Sequence, residues 1–301
     1  MNAHASLVLH DVCKSFATNL AVDHVSATIP EGSIYGFLGP NGAGKTTLIR
    51  MIMSILYPDA GTISVLGSSP DRVKDRLGYL PEEKGLYKKM KTAEMVAYFG
   101  RLKGMEKKKA NARARELLTD FGLGHCIDQR CDTLSKGMGQ KVQIVSTLMH
   151  EPELVILDEP FSGLDPLNVE TVRSVIVEMK RAGKTVLFST HVMEQAEQIC
   201  DAILLINHGQ KILDGNLAEI KRSAHQTISL EYEGVPVNMA AIPGVIRVND
   251  MGRAAELSIG DQADPHAVMR CLVDRMQVTS ISIEEPSLHE IFVRAVAENR
   301  E

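Results

Sequence analysis

The chain has 301 residues, a formal net charge of −5 and 44% hydrophobic residues, which allows a sizeable core and leads us to expect two folding units. An acidic balance argues against a domain that works by neutralising nucleic-acid phosphates, so no nucleic-acid partner is expected. The five cysteines are scattered without paired zinc spacing or disulfide density, and no apolar run approaches the roughly 18 residues of a membrane-spanning helix, so a soluble chain in a reducing cytoplasm is the expectation.

In chain order, "SLVLHDV" and "AVDHVSATI" alternate apolar and polar residues and predict half-buried strands of an antiparallel sheet. "GSIYGFLG" reads as a buried strand entering a glycine loop, and "KTTLIRMIMSIL" after it has helical spacing. From about Thr92 to His150 the pattern is helical, with Thr92 as a candidate cap for a helix carrying Met95, Val96, Phe99 and Leu102. Basic runs at Lys88–Lys91 and Lys107–Lys109 lie among acids and helix formers and read as solvated faces. "ELVILDEP", "KTVLFST" and "DAILLINHG" then alternate with the helical stretches "PLNVETVRSVIVEMKRAG" and "HVMEQAEQIC", which predicts βα units of a mainly parallel sheet. After about Ala224 the composition shifts to four short strand-like runs, with helices beginning at Asp264-Pro265 and at Ser287, where Ser287 and Glu290 have capping-box spacing. The expected class is α/β: a phosphate-loop NTPase core with an N-terminal antiparallel β subdomain and an inserted helical subdomain at about 87–150. Residues 1–222 form that domain and 223–301 a small α+β domain.

"GPNGAGKTT" fits the phosphate-loop spacing, running Gly39, Pro40, Asn41, Gly42, Ala43, Gly44, Lys45, Thr46, Thr47 between a strand and a helix. Glycines let successive backbone N–H groups face one anion, the helix adds its positive end, and Lys45 neutralises the outer phosphates. Thr46 is a candidate Mg2+ ligand. This loop alone leaves GTPases, kinases and ATPases open. "LVILDEP" narrows the choice, because a buried strand delivers Asp158 to the Mg2+ shell and Glu159 next to it as a base for a water attacking the γ-phosphate. That points to hydrolysis, and the absence of an N-K-x-D guanine reader lowers the GTPase option.

With "LSKGMGQ" (134–140), "SGLD" (162–165) and "STH" ending in His191 added in the same order, the chain resembles the nucleotide-binding subunits of ABC transporters over roughly residues 5–220. The resemblance implies a homodimer that sandwiches two ATPs with Mg2+. Each ATP would lie on the phosphate loop of one chain and be capped by Ser135, Lys136 and Gly137 of the other, while Ser135 on sequence alone is also a plain helix cap. It further implies His191 at the γ-phosphate as partner of Glu159, Asp165 at the dimer contact, and Phe16 stacked on adenine; a core phenylalanine is the alternative for Phe16. Two positions depart from the family pattern. Glu82 in "GYLPEEKGLY" stands where the family has a glutamine near Mg2+, so it is a candidate third Mg2+ contact beside Thr46 and Asp158, with added negative charge. Lys136 replaces a signature glycine, with the trans phosphate and solvent as alternative directions for its charge.

The Glu82 segment and the tail "EEPSLHEIFVRA" are similar to those of stand-alone ATPase subunits of bacterial sodium-export and drug-resistance exporters. The implied role is an ATP-hydrolysing subunit at the cytoplasmic face of the membrane, driving a transmembrane permease on a separate chain. It would dock through the helical subdomain beside Glu82 and "KGLYKKMK". The competing reading is a soluble regulatory ATPase of the same fold without a membrane partner. For the C-terminal module, a ligand sensor and a dimer-stabilising extension both remain open.

Overall fold

The computed structural model describes residues 5–82, 85–223, 226–234, 236–260, 263–284 and 286–298. Ala224, where the composition shifts, and Glu83 and Lys84 of the Glu82 segment lie outside them. The chain divides into two units, Met1–Gly215 and Asn216–Glu301.

In the first unit, β1 (Ala5–Phe16) and β2 (Asn19–Pro30) pair antiparallel, and β4 (Ala60–Val65) adds to the far side of β1. Between them in sequence come β3 (Ile34–Leu38), buried along its whole length, and α1 (Lys45–Ile52). β5 (Leu77–Leu80), β6 (Leu154–Asp158), β7 (Thr185–Thr190) and β8 (Ala202–Asn207) run parallel with β3, and β9 (Gln210–Asn216) follows β8. Among the described residues this makes one nine-stranded sheet in the order β4-β1-β2-β9-β8-β3-β7-β6-β5. The parallel strands are near-continuous apolar runs because both their faces are covered. Their register sets Leu38 opposite Thr190 and Asp158 opposite Ser189, so β3, β6 and β7 end side by side. Loops leaving three adjacent carboxyl ends must converge, and in parallel sheets that edge is where ligands bind.

The helical part comprises α2 (Thr92–Leu102), α3 (Lys107–Asp120) and α4 (Lys136–Thr147), packed on Met95, Val96, Ala114, Leu118, Val142 and Met149. It is not helical throughout, since short 3-10 turns at Gly124–Cys126 and Cys131–Thr133 lead into α4. Thr92 is not the cap but the first residue of α2. Its hydroxyl donates to the Gln129 carbonyl, while the Glu94 carboxylate receives the Lys91 N–H at 3.3 Å. Met95 and Val96 are buried as their spacing predicts, but Leu102 is exposed. α5 (Pro166–Arg181) and the short α6 (Met193–Glu197) connect β6, β7 and β8.

The second unit holds α7 (Leu217–Ser223), β10 (Thr227–Glu233), β11 (Val245–Asp250), β12 (Ala254–Ile259), α8 (Pro265–Arg275), β13 (Gln277–Glu284) and α9 (Leu288–Glu298). Its strands form a separate antiparallel sheet in the order β11-β12-β10-β13, with a core built on Ile228, Leu230, Leu257, Val268 and Leu272. Both expected helix starts occur as read. Asp264 accepts the His266 N–H at 3.0 Å, and Ser287 and Glu290 exchange backbone-to-side-chain hydrogen bonds at 2.7 and 3.2 Å.

Candidate functional site

The loop from Gly39 to Gly44 takes left-handed backbone angles at Gly39 (φ 146°), Gly42 (φ 81°) and Gly44 (φ 109°). At two of these, space as well as torsion demands glycine. A Cβ on Gly39 would strike the Ile206 carbonyl of β8, and one on Gly44 would strike the Ala21 carbonyl of β2. Ala43 is buried, Pro40 and Asn41 are exposed, and Lys45, Thr46 and Thr47 open α1. The loop is thus a cradle of backbone N–H groups ahead of a helix N-terminus, a standing anion site. Lys45 is 5% exposed and donates to the Gly39 and Pro40 carbonyls at 2.7 and 3.1 Å, with Glu159 Oε1 at 3.8 Å. Burial pulls its ammonium pKa down from the ordinary lysine value, against the opposing pull of Glu159, Asp158 and Glu82. Three carboxylates from two segments, the end of β6 and the stretch after β5, therefore act on one cation.

Asp158 ends β6 and is 1% exposed. Its Oδ1 accepts from the Ser189 hydroxyl at 2.5 Å and from the Thr46 hydroxyl at 3.3 Å, whereas the buried Oδ2 has no hydrogen-bond partner. A buried carboxylate oxygen without a partner is costly, and a hard cation held by oxygen ligands would satisfy it. The donor set of Thr46 hydroxyl and Asp158 carboxylate thus fits Mg2+. Glu82 is exposed after β5, and its charge bears on Lys45 and on Tyr79. Burial, together with Asp158 and Glu82, pushes the Tyr79 phenol up to about 12, so it stays protonated.

Glu159 is 6% exposed with φ 49°, a left-handed conformation that costs a non-glycine residue on the order of 1 kcal/mol. Ser189 pins the turn by accepting the Glu159 N–H at 3.0 Å, so one hydroxyl fixes both acidic residues. His191, just past β7, sets Nδ1 at 3.1 Å from both Glu159 carboxylate oxygens. Gln140 of α4 donates to the Pro160 carbonyl at 2.9 Å and so ties the signature helix to the same turn. The spacing pattern did not reveal Ser189 or Gln140, although Ser189 lies within the "STH" that marks His191.

The remaining expected residues lie apart from this centre. Ser135 is the N-cap of α4, its hydroxyl accepting the Met138 N–H at 3.2 Å. Gly137 is buried against Asn168 of α5, with no room for a Cβ. The Lys136 ammonium lies over Gly163 in the "SGLD" loop. Asp165 caps α5, and the Asn168 N–H and side-chain amide hold its carboxyl below the usual carboxylate range. Ser135, Lys136 and Asp165 are exposed. Phe16 ends β1 with 45% of its surface exposed and the Lys14 ammonium 5.7 Å from its ring centre, so it is not a core residue.

Residues 22–162 match the ABC transporter family, and residues 215–296 match the C-terminal domain of the ATP-binding protein DrrA1-3-like family. The chain is 37% identical to the uncharacterized ABC transporter ATP-binding protein YhaQ of Bacillus subtilis over 96% of its own length and 98% of that protein's. It is 34% identical to the daunorubicin/doxorubicin resistance ATP-binding protein DrrA of Streptomyces peucetius, covering 91% of this chain and 87% of that one. A solved structure described as the ATP binding subunit of an ABC transporter superposes with a TM-score of 0.64 at 31% identity, over 72% of this chain and 92% of the other. A phosphate cradle, two carboxylates on adjoining residues and a histidine on the second carboxylate therefore sit in a chain that belongs to the ABC transporter family, as an ATP-binding subunit that hydrolyses ATP and works with a membrane permease.

Proposed function

We propose that this chain is the ATPase of an exporter and that its catalytic base is Glu159. The observation that carries the assignment of the base is the isolation of its carboxylate, which is buried, held in a left-handed turn by Ser189 and touched on both oxygens by His191. ATP would lie with its phosphates on the backbone N–H groups of Gly39–Lys45 and its adenine on Phe16. Lys45 would leave the Gly39 and Pro40 carbonyls for the outer phosphates. Mg2+, held by Thr46 and Asp158 with Glu82 nearby, would supply charge neutralisation on the phosphate oxygens. Glu159 takes a proton from water as its oxygen bonds to the γ-phosphorus and the bond to the β-phosphate oxygen breaks, giving ADP and phosphate. His191 orients that carboxylate and donates to the γ-phosphate.

The three exposed signature and loop residues support a homodimer. Ser135 at the positive end of α4 and Asp165 at the start of α5 face outward, where a second copy's nucleotide could meet them. Two ATPs would then close the dimer, and hydrolysis would reopen it. Export as the direction rests on kinship with DrrA, whose name records drug resistance, and with a Nod factor export ATP-binding protein, and the cytoplasmic face of a membrane as the location follows from the permease partner and from ATP as the fuel. No helix among the described residues is long and apolar enough to cross a membrane. A cleft of about 360 Å³ beside Glu82, lined by Tyr79, Leu80, Pro81, Phe99, Leu102 and His150, offers an apolar seat for a permease segment. No observation favours the soluble regulatory ATPase. Affinity capture of the Glu159→Gln chain from gently solubilised cells in ATP should return a stoichiometric polytopic membrane protein. Recovery of ribosomal or DNA-repair components with no membrane protein would overturn the transporter role and leave the site chemistry standing.

A further inference from the structure

The hairpin of β1 and β2 carries a second, unassigned cluster. Its register pairs Leu9 with Ala27, Val12 with Val25 and Lys14 with Val22. Two residues of β1, His10 and Asp11, therefore oppose Ser26 alone, and two of β2, Asp23 and His24, oppose Cys13 alone. These are consecutive β-bulges on opposite strands, and each has a non-glycine residue in the left-handed region, Asp11 at φ 53° and His24 at φ 50°. Bulges re-aim side chains, and glycine would take these torsions at lower cost. Here the two positions hold a carboxylate and an imidazole instead.

The side chains so aimed form a donor set. The Cys13 sulfur, a His24 ring nitrogen and an Asp23 carboxylate oxygen all lie within 4.8 Å of one another, and this is the single such group of His, Cys, Asp and Glu among the described residues. Its surroundings are ordered for ligation. Asp11 Oδ1 is 2.7 Å from His24 Nδ1, which leaves Nε2 facing Asp23 Oδ1 at 4.0 Å. A carboxylate on the far nitrogen of a ligating histidine fixes its tautomer and raises its basicity. The His24 backbone N–H points at the Cys13 sulfur at 3.3 Å, a contact that stabilises a metal-bound thiolate. Gln210 donates to Asp23 Oδ2 at 2.8 Å, leaving Oδ1 free to bind.

We infer that Cys13, Asp23 and His24 bind a zinc-class divalent cation, with Asp11 as the positioning residue behind the histidine. Sulfur, nitrogen and carboxylate oxygen together match zinc or cobalt and not magnesium or calcium, whose ligands are oxygens. Three protein ligands leave a fourth tetrahedral position, and with His24 67% exposed at the side chain that position opens to solvent. Binding draws the exposed imidazole and carboxylate together and releases the thiol proton to solvent.

Cobalt(II) tests this in the reduced full-length chain without nucleotide, because a thiolate ligand produces a near-ultraviolet charge-transfer band that no oxygen-only magnesium site produces. One equivalent should bind with that band and with intense visible bands of tetrahedral cobalt, and zinc should displace it. Cys13→Ser should remove the charge-transfer band, and His24→Asn should weaken binding at least tenfold. Asp11→Asn should lower affinity roughly 10- to 100-fold while keeping the band. Asparagine tolerates left-handed torsions, so the two asparagine variants keep the bulges and stand even if Cys13→Ser folds poorly. No cobalt uptake by the unaltered chain, a charge-transfer band that survives Cys13→Ser, or undiminished affinity in His24→Asn would each overturn the site.

Discussion

Glu159 shows how little of a residue's chemistry resides in its type alone. The same carboxylate on an open loop would be a surface charge. Here the left-handed turn, the Ser189 hydroxyl and His191 hold it in one orientation. Glu159→Gln keeps the shape and the hydrogen bond to His191 but removes the basic oxygen. It should lower steady-state ATP hydrolysis by roughly 10²- to 10⁴-fold, the usual worth of a positioned general base, and leave nucleotide affinity within a few-fold of the unaltered chain. A turnover assay paired with a fluorescent-nucleotide binding curve checks both halves. Turnover near the original rate would remove Glu159 from the base role. The residues of this centre were legible because phosphate binding and hydrolysis each demand particular side chains at fixed spacing after a strand. The position of Lys136 was not legible in the same way, because its place over Gly163 depends on how the start of α4 meets a loop more than twenty residues further on. The pair of bulges was hidden for a related reason: only the pairing of β1 with β2 reveals that Asp11 and His24 are the surplus residues.

At the scale of elements, what could be read from the sequence follows burial. β3, β6 and β7 are buried at every position and appear as apolar runs. β4 and β9 are half exposed, and β5 is four residues long, so none of the three carries a period strong enough to announce a strand. The signature helix has two duties that a pair of substitutions separates. Ser135 caps α4 by accepting the Met138 N–H, and Ser135→Ala should cost about 1 kcal/mol of stability. Ser135→Asp restores a good cap yet presents a negative charge where the second copy's γ-phosphate is proposed to lie. It should keep the unfolding midpoint of the unaltered chain and abolish ATP-dependent dimerisation in sedimentation or light scattering. A dimer that forms normally with aspartate there would separate the helix cap from nucleotide capping. A second element-level effect concerns His150, at the end of the turn after α4, whose Nε2 lies 2.8 Å from the Leu77 carbonyl of β5. Burial first, and Lys103 and Lys184 with it, lower the imidazole pKa below its ordinary 6.5. The unfolded chain then binds a proton that the folded chain resists. This contribution to stability is whole above about pH 6.5 and is lost as pH falls towards the depressed folded value, at no more than about 1.4 kcal/mol per pH unit. Denaturant midpoints measured from pH 7.5 to 5 should show a shallower decline in His150→Gln than in the unaltered chain, and parallel curves would exclude the histidine as the source.

Across the whole molecule, the two units have separate cores. Leu48, Ile49, Phe37, Ile156 and Leu187 pack in the first, and Ile228, Leu257 and Leu272 in the second. Every residue assigned to ATP lies in the first. A ligand stabilises only the cooperative unit that binds it, by an amount that grows with the logarithm of its excess over Kd and reaches about 2.7 kcal/mol at a hundredfold excess. Calorimetry of the full chain should therefore resolve two transitions. Saturating nucleotide on the Glu159→Gln variant should raise the midpoint of one by several degrees and leave the other in place. Leu257→Ala, which empties a fully buried position of the second core, should lower the other transition by the 2–5 kcal/mol typical of such cavities without changing nucleotide affinity. One transition that nucleotide shifts as a whole, or an ATP affinity that falls with Leu257→Ala, would instead mean that the C-terminal unit folds as part of the nucleotide site. The ligand-sensor reading of that unit would then gain a physical route, because anything that bound it would act on ATP through the shared unfolding equilibrium.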